Sequence, residues 1–199
     1  MERTAVVFVL LSFCFTSLAL ECRLVPGSLK QLDVGNGQVF GVNSNNQIYT
    51  LYSTSWIQVP GSLKHVSVGP AGVWGVDSNN YIYKLGGGDW VIVPDLNALF
   101  FSSRRAFRSG DVTPTTCAGS LNWEQISGGL SMIEVSTDGK VFGVSSIGEV
   151  YQRDGVSPSN PTGTGWRQVP SPQKIKHVSY DNGHLWLIGR DDRIMDCTE

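Results

Sequence analysis

Asparagine and aspartate recur at matching places in two similar stretches of the chain, NSNNQIYTL and DSNNYIYKL. Each stretch has the pattern of a tight turn followed by a strand, because Asn, Asp and Ser are preferred in hairpin turns. Amide and carboxylate groups fixed in a turn offer hydrogen-bond donors and acceptors to a ligand rich in hydroxyl groups, such as a sugar. The candidate ligand-binding residues, one of them in a similar turn near the C-terminus, are Asn43, Asn45, Asn46, Asp77, Asn79, Asn80 and Asp191. The alternative is that they serve only the turns.

Aromatic side chains supply the second requirement of a sugar site, since the C–H face of a sugar stacks on an aromatic ring. Trp74 lies just before the second turn and completes the set of candidate sugar-binding residues. Tryptophan also recurs at Trp56, Trp90, Trp123 and Trp166, where a stacking platform is again an option. The alternative for all of these side chains is packing between repeats, which is the usual role of a large aromatic at a fixed repeat position.

The sequence carries no motif of a catalytic or metal site. The three histidines, His65, His177 and His184, do not have metal-ligand spacing, and the first two occupy the same place in two repeats. There is no G-x-S-x-G segment, no Gly-rich loop before a helix and no EF-hand loop. We therefore expect a non-enzymatic protein without a cofactor, with calcium on carbonyl oxygens and turn aspartates as the one metal left open.

These turns and aromatics belong to copies of one repeat. The segment WIQVPGSLKHVSVGPAGVWGVDSNNYIYKL (56–85) aligns with LVPGSLKQLDVGNGQVFGVNSNNQIYTL (24–51), and further copies follow downstream. A repeat of about 34 to 44 residues that contains four short strands is typical of a β-propeller blade. For the copy that begins at Trp56, strands are expected at 63–68, 72–76, 81–85 and 90–93; the last of these lies beyond the segment quoted. Gly, Asn, Asp and Pro residues surround these strands.

The ends of the chain predict how the ring closes. The segment ECRLVP after residue 20 has the pattern of a fourth strand, whereas the last copy supplies only three strands. We expect the N-terminal strand to pair into the last blade, which would place Cys22 beside Cys197 and allow a disulfide between them. The predicted fold is an all-β β-propeller of four-stranded antiparallel blades, four of them complete and one degenerate, because a single four-stranded sheet cannot bury both of its faces.

The segment 96–120 interrupts the repeat, carries no second- or third-strand signature and is predicted to be the degenerate unit. Its basic run RRAFR is interpreted as a solvated loop or the scar of a deletion, with a ligand patch as the alternative. Cys117 has no partner once Cys22 and Cys197 are paired, which leaves open a disulfide-linked dimer.

The first 19 residues are predicted to be a signal peptide, and the propeller domain occupies 20–199. Glu2 and Arg3 precede an apolar run that ends in Ser17-Leu18-Ala19, a small-x-small pattern of the kind that signal peptidases cleave. The alternative, a membrane anchor, requires a longer run, and no membrane span is expected after cleavage. The net charge of −2 gives no field that would attract nucleic acid.

The recurring pattern W-x-x-V-P-G-x-L-x-x-V-x-V-G-x-x-G-V-W-G-V resembles the repeat of the tectonin-type β-propeller lectin family, which includes the fish-egg lectins. The runs VPGSLKHVSVGPAGVWGV and LSMIEVSTDGKVFGV carry the resemblance, which covers Cys22 to Asp95 and Ser120 to Cys197. It implies a secreted lectin of egg defence or innate immunity that binds N-acetylglucosamine- or galactose-type sugars and bacterial surface polysaccharide through several sites at once. Lectins of this family resemble six-bladed rings, so part of two central blades is missing between Asp95 and Ser120.

The alternative function is that of a secreted propeller which acts as a protein-binding scaffold without sugar specificity, because one fold serves many functions. A lectin would release its target when free sugar is added. A scaffold would hold its target regardless of sugar.

Overall fold

The computed structural model of the protein describes residues 20–97, 106–109 and 123–198, and every regular element among these residues is a β-strand. The all-β prediction is confirmed. The strands are β1 (Glu21–Ser28), β2 (Gln31–Gly35), β3 (Gln38–Val42), β4 (Ile48–Tyr52), β5 (Ser55–Val59), β6 (His65–Gly69), β7 (Gly72–Val76), β8 (Tyr81–Gly86), β9 (Asp89–Asn97), β10 (Ala106–Ser109), β11 (Trp123–Ile126), β12 (Met132–Val135), β13 (Val141–Val144), β14 (Val150–Asp154), β15 (Gly165–Val169), β16 (Ile175–Asp181), β17 (His184–Gly189) and β18 (Arg193–Thr198).

Four antiparallel sheets of four strands form the blades of a β-propeller, as predicted. Blade I consists of β2 to β5, blade II of β6 to β9 and blade III of β12 to β15. Blade IV combines β16 to β18 with β1 from the N-terminus. The first strand of each blade is its inner strand, and inner strands contact one another in the order III, IV, I, II.

Antiparallel meanders place their turns alternately at the two ends of the strands. We call the end with the turns between the second and third strands the upper face. The end with the other turns is the lower face. At the tips of two upper-face turns, Asn46 and Asn80 have φ of 63° and 71°, a left-handed conformation that Asn tolerates better than most residues.

The N-terminal strand latches the propeller, as predicted. β1 pairs with β18 in antiparallel register, and Cys22 lies directly opposite Cys197. The two cysteines form a disulfide. The first strand of the domain is thereby bonded covalently to the last, across 175 residues of sequence.

Apolar side chains fill the seams between neighbouring blades. One cluster joins blades III and IV, where the Phe142 and Tyr180 rings stack with centroids 4.9 Å apart. A second cluster joins blades IV and I around Leu32 and Trp186, and a third joins blades I and II around Phe40. Each sheet thus shares its buried face with a neighbour, because a lone meander cannot cover it.

Polar side chains form hydrogen bonds between adjacent inner strands. The Asp33 carboxylate of blade I accepts a hydrogen bond from the backbone N–H of Val68 in blade II, at 2.7 Å. In the same way, the Ser179 hydroxyl of blade IV accepts the N–H of Val34 in blade I, at 3.1 Å. Both donors lie at the inner edge of a sheet, where buried backbone groups need acceptors. The N–H of Val34 is shared with Asp33 Oδ1 of its own strand, at 3.0 Å.

Glu134 of blade III makes the corresponding contact with the backbone of Tyr180 in blade IV. Ser179 Oγ lies 3.0 Å from the Glu134 carboxylate and 2.8 Å from the Asp33 carboxylate. A hydroxyl has one proton, so it donates to only one of the two carboxylates at a time. Burial, and then the negative charge of Asp33, raise the pKa of Glu134 to about 7.

The structure corrects the prediction for the degenerate segment 96–120 in two places. Strand β9 continues through Pro94 to Asn97, instead of ending at residue 93. Ala106–Ser109, for which we expected no strand, pairs antiparallel with Trp123–Ile126. The residues AFRS lack the Ile-Tyr pair of the third strands in blades I and II, and backbone pairing does not require it.

The signal peptide predicted at 1–19 and Cys117 lie outside the described residues. No helix in the described part of the chain has the length and apolar character needed to cross a membrane.

Replacing both latch cysteines, Cys22→Ser with Cys197→Ser, should destabilise the protein. Cross-linking residues 175 apart restricts the unfolded chain, and loss of such a bond typically costs about 2–5 kcal/mol. Urea unfolding followed by intrinsic tryptophan fluorescence measures the loss. Cys117→Ser is the matched control and should retain the parent stability. An unchanged urea midpoint in the double variant would contradict a stabilising role for the latch.

Glu134→Gln should change how stability depends on pH. The pKa of Glu134 rises on folding from 4.5 to about 7. The protonated side chain therefore stabilises the folded protein fully below pH 4.5, and this stabilisation is lost as the pH rises through 7. Glutamine mimics the protonated acid, and we expect the variant to be more stable than the parent at pH 8, by roughly 1–3 kcal/mol. Thermal unfolding from pH 4 to 8 measures this. Glu149→Gln, at a surface ion pair with Lys174, should retain the parent profile, and a retained profile in Glu134→Gln would refute the assignment.

Candidate functional site

The predicted turn residues lie together on the upper face, and two of them have clear roles within their own turns. Asn43 Oδ1 accepts the backbone N–H groups of Asn45 and Gln47, at 3.0 and 2.9 Å. Asp77 Oδ1 accepts the equivalent pair, each at 2.9 Å. These oxygens are engaged in shaping the turns, as the alternative interpretation expected, whereas Asn45 and Asn79 are exposed at the turn tips.

The remaining predicted turn residues contact charged side chains. Asn46 Oδ1 accepts a hydrogen bond from Lys30, and Asn80 Oδ1 accepts one from Lys64. Asp191 accepts hydrogen bonds from Arg193 and Gln173. The hydrogen bond from Arg193 is the main cause that lowers the pKa of the exposed Asp191 carboxyl. The upper-face turns therefore carry polar side chains that are hydrogen-bonded to one another.

The recurring tryptophans pack at the seams between blades. Trp56 Nε1 donates to the Pro26 carbonyl at 2.8 Å, and Trp166 Nε1 donates to the Ser127 carbonyl at 2.9 Å. The indole of Trp56 covers Gly27, whose φ is 125° and where a Cβ would approach Nε1 to 2.9 Å. Glycine is required at this contact because any side chain would displace the indole.

Trp90 repeats this arrangement against Gly61, although its buried Nε1 has no hydrogen-bond partner. The predicted stacking residue, Trp74, lies in β7 and is half-buried, with Lys84 Nζ 5.2 Å from its ring centroid. The side chain of Trp123 lies outside the described residues. The packing interpretation thus accounts for Trp56, Trp90 and Trp166.

The lower face has cavities that the sequence did not reveal. A cavity of about 260 Å³ lies at the seam between blades IV and I. Its apolar wall includes Val39, Leu51 and the largely buried Trp186. Its polar rim is formed by Arg23, Gln38, Ser53, Asp181, Asn182, His184 and Asp196.

One buried carboxylate organises this seam cavity. Asp196 is only 3% exposed, and its Oδ2 accepts hydrogen bonds from Arg23 Nε and Nη2 at 3.0 and 2.7 Å. His184 Nδ1 lies 2.7 Å from Oδ1. Arg23 and His184 are themselves well exposed, so Asp196 fixes the orientation of two groups that face solvent. The same three residues also line a second cavity of about 420 Å³.

The residues of this ion cluster come from three strands that the latch brings together. Arg23 is on β1, His184 on β17 and Asp196 on β18. In blades I, II and III the position of Asp196 is held by Thr50, Lys84 and Gln152, which pair with the second strand in the same register. A search for recurring residues misses such a cluster, and the departure at Asp196 is the signal that would have revealed it.

Blade III has a third lower-face cavity, of about 490 Å³. It lies between the turn at 137–140 and the loop that begins at Gly155. Asp138, Lys140, Arg153 and Asp154 give it a charged lining. The seam cavity, the blade IV cavity beside it and this one are therefore all on the lower face of the propeller.

The described residues contain no group of three or more His, Cys, Asp or Glu side chains placed to hold a metal ion. The His65 and His177 rings lie near each other, with centroids 6.4 Å apart. Burial lowers the pKa of His177 to about 3, so its imidazole is neutral at physiological pH. Neither histidine lines the lower-face cavities described above.

Comparison with known proteins supports this architecture. The Tectonin domain family model matches residues 28–99 and 101–190, most of the chain. A fish-egg lectin of Cyprinus carpio is 50% identical over 97 residues, which are 48% of this chain and 41% of that protein. A tectonin beta-propeller repeat-containing protein of Drosophila melanogaster is 33% identical over 58 residues, 29% of this chain and 4% of that protein.

Both matches span less than half the length of the relative concerned. Among solved structures, virginiamycin B lyase from Staphylococcus aureus superposes with a TM-score of 0.38 at 15% identity, covering 85% of this chain and 65% of that one. We draw no conclusion from that similarity. On its repeats, its latched four-stranded blades and the match of the family model, the chain belongs to the tectonin family.

Proposed function

We propose that the protein is a secreted, non-enzymatic lectin that binds N-acetylglucosamine- or galactose-type sugars in the seam cavity between blades IV and I. The observation that carries this proposal is the ion cluster of Arg23, His184 and Asp196 beside an apolar wall. A relative named as a lectin supports the same function.

The seam cavity has the two features that a monosaccharide requires. Its volume of about 260 Å³ is just below the roughly 300–1,000 Å³ of pockets that hold drug-sized ligands, which suits a single sugar ring. The apolar wall offers contact to C–H groups. The rim side chains of Arg23, Gln38 and Asn182 offer donors and acceptors to hydroxyl and acetamido groups.

The same contacts argue against catalysis in this cavity. Both oxygens of the Asp196 carboxylate accept hydrogen bonds, from Arg23 and His184. A carboxylate engaged in this way has little tendency to take a proton from a substrate. Membership of the tectonin family also favours binding over catalysis.

Several cavities on one face favour multivalent binding. The seam cavity and the blade III cavity both open on the lower face, so one glycan-coated surface can contact both. Binding at two weak sites raises avidity without new contacts. This arrangement suits the recognition of bacterial surface polysaccharide in innate immunity or egg defence. The apolar segment at 1–19 and the disulfide support secretion.

The double variant Gln38→Ala with Asn182→Gly should weaken sugar binding. It removes two rim side chains, and glycine tolerates the φ of 49° at position 182. Losing one or two hydrogen bonds of about 1 kcal/mol each should reduce affinity for N-acetylglucosamine or galactose by roughly 5- to 30-fold. Isothermal titration calorimetry with each monosaccharide measures the change, and release from sugar-coated beads by free sugar provides a second readout.

Arg190→Gln is the matched control, because Arg190 is an exposed upper-face residue that bonds the Ser146 carbonyl. It should bind sugar like the parent protein. The pair Asn45→Ala with Asn79→Ala tests the predicted upper-face turns in the same assay. If neither monosaccharide binds the folded parent protein, the lectin proposal is wrong. Capture of a secreted or bacterial protein that free sugar does not release would instead favour the scaffold.

A further inference from the structure

The seam cavity adjoins a second cavity along the ion cluster of Arg23, His184 and Asp196. These three residues line both the seam cavity of about 260 Å³ and the second cavity of about 420 Å³, which we call the blade IV cavity. Beyond the ion cluster, the blade IV cavity is lined by Glu21 and Thr198. Because three side chains belong to both cavities, the ion cluster is the boundary between two adjoining parts of one surface.

The strand register of blade IV shows that both parts lie on the same face of its sheet. Asp196 pairs with Trp186 on one side and with Arg23 on the other. Glu21 pairs with Thr198, so each of these two residues is two positions from a member of that row. Side chains two positions apart on a strand point to the same face. The Glu21–Thr198 row therefore extends the face of the ion cluster towards the lower end of the blade.

The extent of this surface suits more than one sugar ring. Two residues along a strand span about 7 Å, which is the distance from the row of the ion cluster to the Glu21–Thr198 row. The seam cavity alone is just below the size range of pockets for drug-sized ligands, whereas the blade IV cavity lies within that range. A ring in the seam cavity therefore leaves room for a second ring beyond the ion cluster.

The side chains of the blade IV cavity match the hydroxyl groups of a second ring. Glu21 is exposed and its carboxylate accepts hydrogen bonds, whereas the half-buried Thr198 has a hydroxyl that both donates and accepts. Arg23 uses Nε and Nη2 to bind Asp196, which leaves Nη1 to donate to a ligand. The Arg23 and His184 side chains are 67% and 46% exposed, so they are accessible from the cavities that they separate.

We propose that the two cavities form one extended site for an oligosaccharide of at least two rings. One ring occupies the seam cavity, and the next ring lies against Glu21 and Thr198 in the blade IV cavity. The ion cluster then contacts the linkage between the rings, because it forms the boundary between the cavities. This inference rests on the proposed lectin function and adds the class of its ligand.

Isothermal titration calorimetry on the full mature protein compares a monosaccharide with its own dimer. The probes are N-acetylglucosamine, galactose and the β-1,4-linked dimer of each. For the sugar that binds, we expect the dimer to bind about tenfold more tightly than the monosaccharide, through one or two additional hydrogen bonds. Such a preference exceeds the statistical gain that two identical rings provide.

The double variant Glu21→Ala with Thr198→Ala should lose this preference. It should bind the dimer no more tightly than the monosaccharide, because it removes the polar side chains that contact only the second ring. It should bind the monosaccharide like the parent protein, which also shows that the latch and the seam cavity are intact. Asp89→Ala is the matched control, since it removes an exposed carboxylate from blade II, and it should keep the preference for the dimer.

The two proposals fail separately. Equal affinity of the parent protein for dimer and monosaccharide would overturn the extended site and leave the lectin untouched. A preference for the dimer that persists in Glu21→Ala with Thr198→Ala would also overturn it, by placing the second ring elsewhere. Absence of binding by every one of these sugars would refute the lectin proposal itself, and the extended site with it.

Discussion

The inner strand of each blade is an edge whose buried backbone donors need acceptors from outside the strand ladder of its own sheet. Asp33 of blade I accepts the N–H of Val68 in blade II, and Ser179 of blade IV accepts the N–H of Val34 in blade I. Because a buried donor without a partner costs more than most surface contacts provide, these bonds hold each blade against its neighbour. The apolar clusters at the seams join the same pairs of blades.

The latch connects this arrangement of blades to the candidate sugar site. β1 completes blade IV, and the same strand carries both Cys22 and Arg23. The disulfide fixes the strand against β18, and the adjacent guanidinium then reaches the buried carboxylate of Asp196. A seam cavity built from two ends of the chain exists only when the propeller is assembled. The latch and the shape of the candidate site therefore depend on the same strand pairing.

The blades and the pairing of the N-terminal strand could be predicted from the sequence, because a repeated residue pattern indicates a repeated packing contact. A residue that recurs in several copies, such as the tryptophan over Gly27, is held there by a contact that is repeated at those seams. The same reasoning failed at Ala106–Ser109, whose strand depends on backbone pairing with β11 instead of on recognisable side chains. The seam cavity was also missed, since Asp196 and His184 differ from their counterparts in the other blades and their partner Arg23 is distant in sequence.

Residues that recur in several blades and residues that differ in one blade therefore indicate different features of the molecule. Recurring polar residues such as Asn43 and Asp77 each use one oxygen to shape their own turns, and their role in ligand binding stays a prediction. Asp196 differs from its counterparts Thr50, Lys84 and Gln152, so its carboxylate is not bound to a role that every blade shares. A repeat protein can therefore acquire a candidate binding site where one blade departs from the pattern.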